Sequence, residues 1–148
     1  MAADDCPYDA DPDGPAPAET STRRLKFAHQ LNFELDFFGK ILERDPLFVA
    51  ALRVHGDNLA RAGRHSQALV VDRRLVRLLP DRSIPWYNLG CTYAVLGMTE
   101  PAFAAIQRAL ELGYRHLDHL CRDPDLRPLR RDPRFARLFR RFGVVPLD

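Results

Sequence analysis

The stretch IPWYNLGCTYAVLG, Ile84 to Gly97, decides how the chain is read. It sets Trp86, Leu89, Gly90 and Tyr93 three or four residues apart and ends on a glycine, a pattern with helical rather than strand period. A small residue inside a helix lets a second helix approach closely, and a glycine after it turns the chain. Sliding the sequence along itself by 34 residues brings Gly56 onto Gly90, Gly63 onto Gly97, Ala68 onto Ala102 and Pro46 onto Pro80. Each of these residues has a geometric task, so the stretch is one copy of a repeated unit.

Outward from it, apolar residues recur at helical spacing in Leu25 to Leu42, Val49 to Ala62, Ser66 to Leu79, Pro85 to Leu96 and Glu100 to Leu112. The runs stop at Asp45-Pro46, Gly63, Pro80, Gly97 and Gly113. Short helices joined by such short turns pack as antiparallel neighbours. No alternating β-branched run interrupts them, and the fold class expected is all-α, an α-α superhelix of helical hairpins.

Composition agrees with one ordinary globular domain. The chain has 148 residues, 46% hydrophobic and 28% charged, enough to bury about two-thirds of its unfolded surface. Apolar residues are never contiguous for the roughly 20 positions of a membrane span, and the N-terminus lacks the order of a secretion signal, so a cytoplasmic location and no membrane partner are expected. Cys6, Cys91 and Cys121 form no C-x-x-C pair and are expected as free thiols. Of the 22 basic residues 20 are Arg, which reflects coding bias more than function.

Charge is unevenly spread. Residues 1–22 hold six acids (Asp4, Asp5, Asp9, Asp11, Asp13 and Glu19) and no Lys or Arg, leaving 22 basic against 14 acidic residues, a net +8, in the remainder. This acidic, Pro- and Ala-rich segment buries too little to offset the entropy of ordering and is expected to be disordered. The folded part is then expected over 23–148, with a leading helix 23–43, repeats 49–80 and 83–112, and a closing segment 114–142.

With the repeat in view, the chain resembles the tetratricopeptide repeat family. Trp86-x-x-Leu89-Gly90-x-x-Tyr93 followed by Ala102-x-x-x-Ile106-x-x-Ala109 matches the family pattern, with Ile106 for the usual aromatic residue and Tyr114 where Pro is usual. The preceding copy keeps Gly56, Gly63, Ala68 and Pro80 but has Leu52, His55, Leu59 and Asp72 at the other signature positions. The stretch LDHLCRDPDLRPLRRDPRF is similar to a closing segment found after bacterial arrays of the family, and its task would be to cover the last repeat.

The resemblance implies a concave groove, built from the first helix of each repeat, that binds a protein or peptide partner. Counting Val49 and Ser83 as first positions, the groove positions hold Ala50, Arg53, Asp57 and Ala60, then Ile84, Tyr87, Cys91 and Ala94. Arg53, Asp57, Tyr87, Asn88 and Cys91 are the partner-binding candidates, since Tyr and Arg are enriched at interfaces and Arg and Asn can grip a chain-end carboxylate. The function expected is a non-catalytic adaptor or scaffold; the alternative is structural self-association into homo-oligomers.

Other clusters give bland readings. His55 and Asp72 stand where the family buries apolar residues, so either they pair or a register shift carries Asp72 to the surface. His116, Asp118, His119 and Cys121 lack a second ligand cluster, and no metal or other cofactor is expected. Arg130, Arg134, Arg137 and Arg141 recur at helical spacing as one basic face, read as solvated rather than as a nucleic-acid surface because no stacking aromatics or nucleic-acid motif accompany it. There is no phosphate loop, G-x-S-x-G or H-E-x-x-H, and no catalytic residue is assigned.

Overall fold

The computed structural model describes residues 21–142. Most of the acidic segment 1–22, with its expected disorder and Cys6, lies outside the described residues. All regular structure among the described residues is helical: α1 (Ser21–Arg44), α2 (Val49–Arg61), α3 (His65–Leu78), α4 (Ser83–Val95), α5 (Thr99–Glu111), α6 (Leu117–Arg122), a 3-10 turn (Pro124–Leu126), α7 (Arg127–Arg130) and α8 (Pro133–Arg141). They divide into two compact units at Leu78 and Leu79. No helix is long and apolar enough to cross a membrane among these residues.

In the first unit α1 packs on α2 and α2 on α3. Its core is small: Leu35, Ala51, Leu52, Leu59, Ala68, Val71, Leu75 and Val76 are buried. Asn58, buried on α2, donates to Glu34 Oε2 of α1 at 3.0 Å and so satisfies its amide. In the second unit α4 and α5 form the hairpin, and the segment from α6 to α8 wraps onto it. Leu89, Ala102, Ile106, Ala109, Leu110, Leu120, Leu126 and Leu129 fill that core.

The two hairpins are closed by the same device 34 residues apart. Gly63 and Gly97 take φ of 72° and 74°, where a side chain would be strained, and each ends a helix. At the first, Arg64 N–H donates to Leu59 O (2.8 Å) and Gly63 N–H to Ala60 O (3.0 Å); at the second, Met98 donates to Tyr93 O (2.9 Å) and Gly97 to Ala94 O (3.0 Å). These are Schellman pairs, which satisfy the last helical carbonyls. Of the two glycines in the hairpins' first helices, Gly90 is the more closely approached: an added Cβ would sit 2.6 Å from Ile106 Cδ1, whereas at Gly56 it would meet Val71 Cγ1 at 3.2 Å. The signature Trp86 is half-buried and donates Nε1–H to Pro80 O at 2.9 Å, fixing the turn ahead of its own helix.

At His55 and Asp72 the surface reading fails: Asp72 is buried. His55 Nδ1 is buried without a hydrogen-bond partner. Burial, then the Arg64 charge, pushes the imidazole below its ordinary pKa, so it is held neutral. Free thiols were expected throughout; among the described residues Cys91 is a free buried thiol, and Cys121 is fully buried.

Candidate functional site

The two helices expected to line one groove meet different fates. On α2 the groove positions are open: Ala50, Arg53 and Asp57 are exposed and Ala60 is half-buried. Helical period explains this, because Leu52, Gly56 and Leu59 take the packed side and leave 50, 53 and 57 on the other. Asp57 has its carboxyl raised by partial desolvation, opposed by the nearby Arg61 and Arg53 charges. On α4 the same register is covered: Ile84 is exposed, but Tyr87 (4%), Cys91 (7%) and Ala94 (1%) are buried, and Asn88 is half-buried. Tyr87 and Cys91, expected on an open wall, are therefore closed to a partner.

What covers them is the chain itself. Tyr87 Oη donates to Asp123 Oδ2 at 2.6 Å, and Cys91 Sγ donates to the same oxygen at 3.6 Å. Asp123 Oδ1 accepts the Asp125 N–H at 3.0 Å, the cap of the 3-10 turn, and His119 Nε2 stands 3.5 Å from Oδ2. The Tyr87 ring lies flat on Tyr114, with centroids 4.4 Å apart and planes 7° apart. Arg130 Nη1 closes the loop by donating to the Asp123 carbonyl at 2.8 Å.

Buried together, these groups are poor reagents. Burial first, then Cys91 and the Asp123 hydrogen bond, pushes the Tyr87 hydroxyl far above its usual pKa. Burial and the Asp123 charge push the Cys91 thiol up likewise, while burial takes Tyr114 to about 12. A nucleophilic cysteine needs the opposite, a lowered pKa and an exposed sulfur. The arrangement is a polar clasp between α4 and the segment that follows α5.

Asp123 was not legible as a member of this site. The available signal was the repeated Asp-Pro, because Asp123 and Asp132 both cap the turn of helix they begin: Asp132 Oδ1 accepts from Arg134 N–H at 2.9 Å. Tyr114 also carried a signal, standing where the repeat pattern has Pro.

The four arginines do not share one helix. Arg130 lies on α7 and is used in the clasp, while Arg134, Arg137 and Arg141 lie on α8. Arg134 pairs with Glu100 Oε1 (2.6 Å) and Asp132 Oδ2 (2.8 Å) and sits 4.5 Å over the Phe103 ring. Arg137 and Arg141 border with it a cleft of about 210 Å³. A larger opening, about 460 Å³, lies between Val95 and Pro124, Asp125, Arg127, Pro128 and Arg131. His116, Asp118, His119 and Cys121 do not gather, and no group of three or more His, Cys, Asp or Glu side chains able to hold a metal occurs among the described residues.

No family model matches the chain. It is similar to a chloroplastic protein of Arabidopsis thaliana, with 28% identity over 90 residues, covering 59% of this chain and 27% of that protein. It is also similar to the cell division cycle protein 16 homologs of Homo sapiens and Mus musculus, each 28% identical over 57 residues, 38% of this chain and 9% of theirs. The chain thus spans a minor part of the length of these relatives, which contain tetratricopeptide repeats. Its antiparallel helical hairpins and these distant likenesses make the chain an all-α protein similar to tetratricopeptide repeat proteins.

Proposed function

We propose that the chain is a non-catalytic protein-interaction module that takes a peptide or partner helix on the open face of α2. Arg53 supplies a forked donor for a partner carboxylate, Asp57 an acceptor, and Ala50 a small surface that lets backbone approach. The observation that carries this reading is the contrast at matching positions: 50, 53 and 57 are open, whereas 87, 91 and 94 are roofed by the chain's own segment. We read that segment as the cap its Asp-Pro motifs resemble, protecting the terminal hairpin. Tyr87 and Cys91 then serve the cap.

Capture of partners from lysate, comparing the wild type with Arg53→Glu plus Asp57→Arg, tests the reading. Both side chains are exposed, so helicity should be unchanged. Loss of a captured protein with full helicity is the result expected; equal capture by both forms would remove the α2 face from consideration.

A further inference from the structure

Residues 23–30 of α1 are exposed all the way round the helix. On the side away from the buried Leu35, Leu25 is 62% and Phe33 64% exposed. They are eight residues apart with His29 midway, so they lie along one ridge of the kind that packs into a neighbouring helix. Phe37, 48% exposed, continues the ridge and stacks on Phe33 at 5.9 Å. Isolated large apolar side chains are ordinary on a surface, but an apolar ridge on an unsupported helix is not.

The charges along the same stretch say what fits. Residues 23–29 carry Arg23, Arg24 and Lys26 and no acid; residues 30–36 carry Glu34 and Asp36 and no base. A parallel copy would set like charges together. An antiparallel copy sets the basic half of each helix on the acidic half of the other, twice, as two-fold symmetry requires.

We propose that α1 pairs antiparallel with α1 of a second copy of this chain through residues 23–36, about 21 Å of helix. Leu25 of each copy packs on Phe33 of the other, and the pair of His29 residues faces across the two-fold axis. Lys26 of each copy lies on the side of Asp36 of the opposite helix. Asp36 already accepts from Lys40, but a carboxylate has lone pairs for further donors. The surface is separate from the α2 face used in the preceding reading, so either can fail without the other.

Light scattering on the full chain tests the pairing. The mass should rise with concentration from 16.9 kDa towards twice that value. Leu25→Glu plus Phe33→Glu should stay monomeric at unchanged helicity, and Lys26→Glu should weaken association about tenfold. A wild type still monomeric at about 1 mM would overturn the proposal. So would a dimer indifferent to the Leu25 and Phe33 changes, and a dimer indifferent to the charge reversal would overturn its antiparallel polarity.

Discussion

The Tyr87 hydroxyl and the Asp123 carboxylate meet at 2.6 Å across 36 residues of sequence, tying α4 to the start of the 3-10 turn. The bond is buried, and the acceptor also holds Cys91 Sγ and the turn's own N–H. Removing only the hydroxyl leaves the ring stack on Tyr114 in place, which isolates the bond from the packing.

Tyr87→Phe should therefore cost about 1–3 kcal/mol, the range for a buried hydrogen bond to a charged group. Urea denaturation measures it, and faster hydrogen exchange at Asp125 N–H would localise the loss to the clasp. An unchanged midpoint would mean that the closing segment is held by Leu120, Leu126 and Leu129 alone.

Gly90→Ala should destabilise by about 1–3 kcal/mol, because its methyl would overlap Ile106, 2.6 Å from Cδ1. Gly56→Ala, with its nearest neighbour at 3.2 Å, should cost less. Shortening the opposing side chain with Ile106→Val should recover part of the first loss. Thermal melts of the three variants distinguish close approach from a general dislike of side chains at these positions.

His55 gives a pH dependence with a definite sign. Its folded pKa lies below the ordinary 6.5, so the folded state favours the neutral ring. The stability that depends on neutrality is complete above about 6.5 and is lost as pH falls through the folded value. His55→Leu, the residue found 34 positions later at Leu89, should flatten that slope and add about 1 kcal/mol at acid pH, since it also removes the unpartnered Nδ1. Hydrogen exchange in α2 at two pH values provides the comparison, and equal slopes for wild type and variant would contradict it.

Asp132 shifts the same way, for a different reason. Hydrogen bonds from the Arg134 side chain and backbone hold its carboxyl at about 2 against an ordinary 3.8. The start of α8 should thus be intact above the ordinary value and fray as pH falls through about 2. The amide signal of Arg134 reports this directly; in Asp132→Asn, which can cap but not ionise, it should lose that pH dependence.

Much of the fold was legible because repetition multiplies weak local signals. Gly63 and Gly97 each ask for a turn, and their common spacing with Gly56 and Gly90 fixes which helices pair. The site was less legible because it is made between distant pieces. Nothing local marks Tyr87 as buried, since its burial comes from Asp123, Tyr114 and a segment outside the repeat period. For the arginines, the helical spacing from Arg130 to Arg141 ignored Asp132-Pro133, which begins a new helix and separates Arg130 from the rest.

The roof over α4 also sets valency. With that helix occupied, an incoming ligand on the reading above meets one thirteen-residue helix, about 20 Å long, which matches roughly six residues of an extended peptide. So short a footprint favours rapid exchange over long residence. Two chains joined through α1 would present two such faces, and a ligand with two matching segments would then dissociate only when both let go, so that strength would come from avidity rather than from a longer groove.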